Sequence, residues 1–164
     1  MASAKKNLSK YKFENAPDLK EARVGIIVSE WNHEITEAMF DGCDKTLKQL
    51  GAKKKNLHRI NVPGSFELPA AAKMLVESKK LDAIICLGCI IKGETRHDEF
   101  ISQAVANGMM ELNLRYNMPF VFGVLTTENM EQAQDRAGGK LGNKGIEAAV
   151  SAVKMMMVKN SLKK

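Results

Sequence analysis

Aromatic residues are scarce in this chain: one tryptophan, two tyrosines and six phenylalanines among 164 residues. Aromatics alternate with lysines only at Lys10-Tyr11-Lys12-Phe13, and no recognition motif accompanies them, so nucleic acid is an unsupported partner despite a formal charge of +6. The excess charge sits largely in the two ends and in Lys53–Lys55, which reads as a solvated basic surface. Three cysteines, Cys43, Cys86 and Cys89, are too few and too scattered for a disulfide framework. Cys86 and Cys89 have a Cys-x-x-Cys spacing, but residues three apart on a strand point to opposite faces, and no second ligand pair accompanies them. Reduced core thiols are the expectation. No apolar run approaches the roughly 20 residues of a membrane helix, and the beginning of the chain lacks the apolar core of a secretory signal, so a cytoplasmic protein with no membrane partner is expected. Neither Gly-x-Gly-x-x-Gly nor a Walker lysine loop occurs, which leaves nucleotide-driven chemistry without support. No metal and no cofactor is expected either, since no His/Cys/carboxylate cluster has ligand spacing.

What the chain does contain is one alternation, repeated: a short apolar run, a turn, then a segment with helical periodicity. The runs are Arg23–Ser29, Asn56–Val62, Asp82–Ile91 and Met118–Thr126. The first helix carries Ile35, Met39, Gly42, Cys43, Thr46, Leu47 and Leu50 on one face, with Asn32 as its N-cap and Gly51 as its stop. Pro69 fits only the first turn of an alanine-rich helix running through Lys79. Thr95 with Asp98 reads as an N-cap pair for a third helix, along which Phe100, Ile101, Ala104, Val105, Gly108 and Leu112 recur. A helix to about Arg136, a glycine-rich interruption, and a last helix from Ile146 towards Lys159 complete the chain. The last helix shows Ile146, Val150, Val153, Met156 and Met157 on one side, an apolar face expected at a subunit interface. Four βα units with short connections require a parallel sheet with right-handed crossovers. The fold class is therefore α/β: a three-layer α/β/α sandwich around a central four-stranded parallel sheet. One domain spans 23–160, preceded by an N-terminal arm over 1–22 and followed by a basic tail at 161–164.

In such sheets ligands sit beyond the carboxyl ends of the strands. The first strand delivers Trp31 and Asn32 to that edge, the second Ser65, Phe66 and Glu67, the third a glycine turn with His97, and the fourth Thr126 and Thr127. Free amides around Gly93, Glu94 and Thr95, at a helix N-terminus, suit a phosphate or another anion. The same helix end disfavours an imidazolium, which leaves His97 free to accept or donate a proton. A histidine that merely packs at a strand–helix junction is the plainer reading. An aromatic plate, a carboxylate, an anion-binding turn and an imidazole together suit a flat heterocycle with polar groups, plus a phosphate.

Four stretches carry a resemblance to a known family. Val62-Pro-Gly-Ser-Phe-Glu-Leu-Pro69, Gly93-Glu-Thr-Arg-His-Asp-Glu-Phe100, Phe122-Gly-Val-Leu-Thr-Thr-Glu-Asn129 and Arg136-Ala-Gly-Gly-Lys-Leu-Gly-Asn-Lys-Gly145 occur in order. From Arg23 to Val158 the chain resembles the 6,7-dimethyl-8-ribityllumazine synthases, whose fold is flavodoxin-like. The resemblance implies a transferase of riboflavin biosynthesis. Its reaction condenses 5-amino-6-(ribitylamino)uracil with 3,4-dihydroxy-2-butanone 4-phosphate. It implies that Trp31 stacks on the pyrimidine, that Asn32, Ser65, Phe66 and Glu67 contact the ribityl chain, and that Ile90 and Ile91 meet the pyrimidine edge. Glu94, Thr95 and Arg136 would lie at the phosphate, Phe122 and Lys144 would come from a neighbouring subunit, and His97 would move protons. A side-chain carboxylate at Glu94 would repel that phosphate unless turned outward. The resemblance further implies a homo-oligomer, a pentamer and a 60-subunit icosahedral shell, with active sites between subunits. The N-terminal arm would add to a neighbouring sheet, and riboflavin synthase would be an associated partner. Two other classes answer to the same residues: an idle flavin-binding carrier and a purely structural cage.

Overall fold

The computed structural model describes residues 8–12 and 17–162. Strands β1 (Val24–Ser29), β2 (Leu57–Val62), β3 (Ala83–Ile91) and β4 (Phe120–Thr127) form one sheet in the order β2-β1-β3-β4. Every pairing in that sheet is parallel. Five helices cover it: α1 (His33–Gln49), α2 (Leu68–Ser78), α3 (His97–Arg115), α4 (Met130–Arg136) and α5 (Lys144–Ser161).

The strands read as unbroken apolar runs because both faces of the sheet are covered. Alternate side chains divide them between two layers. Val24, Ile26, Val28, Ile85, Leu87 and Cys89 pack with Ile35, Met39, Cys43 and Leu47 of α1 and with Ala148, Ala149, Ala152 and Val153 of α5. Ile27, Ile84, Cys86, Ile90 and Val124 meet Leu68, Ala72 and Leu75 of α2 and Val105, Met109 and Leu112 of α3. Cys86 and Cys89 thus fall on opposite faces, as the spacing predicts, and all three cysteines are buried free thiols. Burial pushes the Cys89 thiol up to about 11 and raises those of Cys43 and Cys86 further.

Several local expectations change. Asn32 stands before α1 but its side chain caps nothing; its backbone is left-handed, at φ 56° and ψ 45°. Its amide nitrogen instead donates to the Cys89 carbonyl at 2.9 Å, a contact that anchors the β1 loop to β3. Thr95 is no cap either, since α3 begins at His97 with Arg96 before it and no side-chain cap bond. The glycine-rich interruption is a small antiparallel ribbon, β5 (Ala137–Gly139) with β6 (Gly142–Asn143). Asn143 then caps α5 through bonds from the amides of Gly145 and Ile146 at 2.8 and 3.2 Å, so that helix begins two residues earlier than predicted.

The apolar side of α5 is a correction as well. Val150, Val153 and Met156 are buried within the chain's own core, because Ala148, Ala149 and Ala152 let α5 lie close against β3, β4 and α1. Large exposed apolar side chains stand on α2 and α3, at Met74, Phe100, Met110 and Leu114, and also near the end of α5, at Met155, Met157 and Val158, so the expectation for α5 holds for its last turns only. Residues Leu8–Lys10 make one short turn against α5, with the Lys154 ammonium 3.7 Å from the Tyr11 ring centroid. Among the described residues the N-terminal segment supplies no strand; Phe13 and the last two lysines lie outside them. Leu19 is buried, and its amide donates to the Leu50 carbonyl at 3.1 Å. Among the described residues no helix is long and apolar enough to cross a membrane.

Candidate functional site

Strand order reverses between β1 and β3: one chain direction leads from β1 out to β2, the other from β3 out to β4. The crevice outside their carboxyl ends is where such a sheet binds ligands. A cleft of about 920 Å³ opens there.

Three loops build it. The amides of Glu30 and Trp31 donate to the Val62 and Pro63 carbonyls at 2.8 and 3.1 Å, which fastens the end of β1 to the end of β2. Trp31 then has nowhere to bury its ring, and lines the cleft 73% exposed. In the turn after β2, the Glu67 carboxylate accepts the Gly64 amide at 2.9 Å and fixes the loop that carries Ser65 and Phe66. Phe66 is 59% exposed to the cleft, while Ser65 is buried with its hydroxyl unpartnered among the described residues. Gly88 makes this approach feasible, because a Cβ there would stand 2.5 Å from the Ser65 Oγ. The third loop follows β3. Ile90 and Ile91 line the cleft, and the chain then runs through Gly93 and Thr95 into α3. A Cβ on Gly93 would meet nothing within 4 Å, so the turn is open to a ligand. The first amides of α3 lack partners within the helix and carry its positive dipole end, beside His97.

The fold therefore brings Trp31, Asn32, Ser65, Phe66, Glu67, Ile90, Ile91, Thr95 and His97 to one cleft. Four sequence candidates stand elsewhere. Glu94 is exposed on the turn but does not line the cleft. Phe122 is half-buried on β4, against the α2–α3 layer. Arg136 and Lys144 sit at the corner between α4 and α5. There the Arg136 guanidinium forks onto Glu147 at 3.1 and 3.2 Å and also donates to the Leu141 carbonyl at 3.2 Å, while Lys144 lies 3.6 Å from Glu147. Two cations share one carboxylate, and the side chains are only 16% exposed for Arg136 and 7% for Glu147. A surplus positive charge is held partly out of water.

Among the described residues no lysine or arginine lines the cleft itself. Lys92, at its lip, is tied to Glu128 at 2.8 Å, and that bond holds its proton more firmly than usual. Sequence reasoning missed Pro63 and Gly64 as cleft walls and Glu147 as the Arg136 partner, which lies eleven residues on, across the glycine-rich ribbon. Asp98, Phe100, Ile101 and Ala104 were legible only as a helix cap and a core stripe, yet all four line the cleft. Among the described residues no group of three or more His, Cys, Asp or Glu could hold a metal ion.

The comparisons with known proteins agree on one family. The family model for 6,7-dimethyl-8-ribityllumazine synthase matches residues 21–160. A protein of that name from Cytophaga hutchinsonii is 55% identical over 156 residues, covering 95% of this chain and 98% of the relative. One from Parabacteroides distasonis is 51% identical with the same coverage, and one from Phocaeicola vulgatus is 44% identical over 100% of this chain and 98% of the relative.

Proposed function

We propose, from the premise that this chain belongs to the 6,7-dimethyl-8-ribityllumazine synthase family, how its cleft performs that family's reaction. The protein is a transferase of riboflavin biosynthesis. It condenses 5-amino-6-(ribitylamino)uracil with 3,4-dihydroxy-2-butanone 4-phosphate and releases phosphate and water. One observation carries the residue-level reading: His97 shares a single cleft with two exposed aromatic rings, an open amide turn and the Ser65–Glu67 loop.

The pyrimidine stacks on Trp31 with its edge at Ile90 and Ile91, and the ribityl hydroxyls meet Asn32, Ser65, Phe66 and Glu67. The substrate amine attacks the ketone, and loss of water gives an imine. Removal of a carbon-bound proton then expels the phosphate and leaves an enol. Tautomerisation restores a carbonyl, to which the ribitylamino nitrogen adds, and loss of a second water from that adduct completes the ring. Each step moves a proton within reach of one imidazole, and His97 is that shuttle. The phosphate rests on the amides of Glu94 and Thr95 at the head of α3.

A dianion needs more than amides, and the cleft of one chain has no cation of its own. The Arg136–Lys144 corner has a cation to spare, so a neighbouring copy supplies it, together with Phe122. The exposed apolar side chains of α2 and α3 are the surface by which copies meet, and a pentamer is the assembly. A 60-subunit shell, association with riboflavin synthase and a cytoplasmic location complete the reading. The test mixes the purified protein with both substrates and follows the coloured lumazine. Rapid formation supports the enzyme; binding of the pyrimidine without turnover leaves a carrier, and neither leaves a cage.

A further inference from the structure

Position 98 starts the core-facing line of α3. The positions 98, 101, 105, 109 and 112 follow one side of the helix, and Val105, Met109 and Leu112 are buried on it while Ile101 packs against the same core layer. Asp98 is half-buried at the head of that line, where an apolar group would continue it, and lines the cleft beside His97. Among the described residues its carboxylate makes no hydrogen bond and no ion pair. The nearby cations are occupied: Lys92 is held by Glu128 at 2.8 Å, and Arg96 by Glu99 at 3.0 Å. A helix dipole explains why a carboxylate is tolerated in a first turn. At the cleft its oxygens, which no described donor holds, remain open to water in the free chain, so a ligand's donors can take the place of that water. Across the same cleft Ser65, 5% exposed, presents a buried hydroxyl without a partner among the described residues.

We infer that Asp98 is a substrate-binding residue for the amine-bearing pyrimidine, whose N–H and ribityl O–H groups it accepts. This rests on the reading of the cleft given above. The two substrates differ in the sign of what they offer. The pyrimidine carries several donors and no phosphate, whereas the ketone is a phosphate dianion that an unpartnered carboxylate repels. Glu67, the other carboxylate of the cleft, already holds the Gly64 amide. Asp98 therefore discriminates between the two occupants: it draws the donor-rich ring to its own side and leaves the turn at Gly93–Thr95 to the phosphate.

The test titrates 5-amino-6-(ribitylamino)uracil into wild type, Asp98→Ala and the near-isosteric Asp98→Asn, by calorimetry in the absence of the ketone. Steady-state KM values for both substrates are measured in parallel. Pyrimidine affinity should fall about ten- to a hundredfold in Asp98→Ala, and less in Asp98→Asn, which keeps one acceptor oxygen. The KM for the phosphorylated ketone should not rise, since the variants remove a like charge, and the assembly mass should not change. Pyrimidine affinity within about twofold of wild type in both variants overturns the inference. So does an equal loss for both substrates, or a loss that appears only with a changed assembly mass, which would make Asp98 a structural or interface residue. If Asp98→Ala does not fold, Asp98→Asn decides. A wild-type protein that binds the pyrimidine but forms no product would refute the enzymatic reading and leave the titration to judge Asp98 alone.

Discussion

The cleft above β1 and β3 and the corner between α4 and α5 lie in one domain and are built on opposite plans. In the cleft, Trp31 and Phe66 are left exposed, the buried Ser65 hydroxyl has no partner among the described residues, Asp98 lines the wall half-buried, and Gly93 faces open space. In the corner almost every polar group is answered. Asn143 caps α5 and donates to the Ala38 and Ala137 carbonyls at 2.9 and 3.0 Å, and Arg136 is forked onto buried Glu147. The difference separates two uses of side chains. Those of the corner hold the fold and should be felt in stability; those of the cleft, apart from Asn32 and Glu67, which tie its loops, should be felt in binding and turnover.

The sharpest way to break that contrast is Gly145→Ala. A Cβ at this position would come 1.7 Å from the Met39 carbonyl oxygen, a backbone atom that cannot swing aside. The substitution forces α5 away from α1, and the loss should reach or exceed about 3 kcal/mol, the upper part of the usual overpacking range. Thermal unfolding should drop by about 10 °C or the protein should fail to fold. A melting temperature within a degree of wild type would mean that the corner is looser than its geometry implies.

His97→Ala is the counterpart in the cleft. The residue is exposed, so its removal should leave thermal unfolding nearly unchanged while turnover falls about ten- to a thousandfold. Unchanged turnover would remove His97 from the mechanism. Arg136→Ala crosses the line between the two regions. Losing the guanidinium leaves Glu147 buried with only Lys144 at 3.6 Å, so the change should destabilise by about 2–3 kcal/mol, below the roughly 3–5 of a wholly abandoned buried charge. It should also raise the KM for the phosphorylated ketone and spare the pyrimidine. Should the pyrimidine suffer equally, Arg136 is a fold residue alone.

Legibility in the sequence followed the same divide. Val24–Val28 and Ala83–Ile90 announced themselves because a strand covered on both faces has no polar alternation to confuse it, and Pro69 could be placed because its ring allows only one site in a helix. Trp31, Ser65, Glu67 and His97 were found through their position after each strand. The errors come from side chains whose partner is remote in sequence. Asn32 looks like a cap, but the Cys89 carbonyl, 57 residues away, holds it instead. The α5 face looks like an interface until the alanines beside it let that helix settle onto the sheet. Asp98 was read only as a cap partner and Glu147 gave no signal, since a carboxylate in a first helical turn usually means only a favourable dipole.

The smallest expected effect comes from Cys89, which belongs to both worlds: its sulfur is core, its carbonyl holds Asn32, and its edge lines the cleft. Burial raises its thiol from about 9.0 to about 11, so the folded state keeps a proton that the unfolded chain releases earlier. The stability this gives is complete below about pH 9 and is lost as pH rises through 11, a window in which Cys43 and Cys86, raised further, add to the same decline. At pH 8 a thiol reagent should label none of the three in the native protein and all three after denaturation. Rapid native labelling of Cys89 alone would show that the cleft opens down to the sheet, and the contrast between an open site and a sealed core would then have to be redrawn one strand deeper.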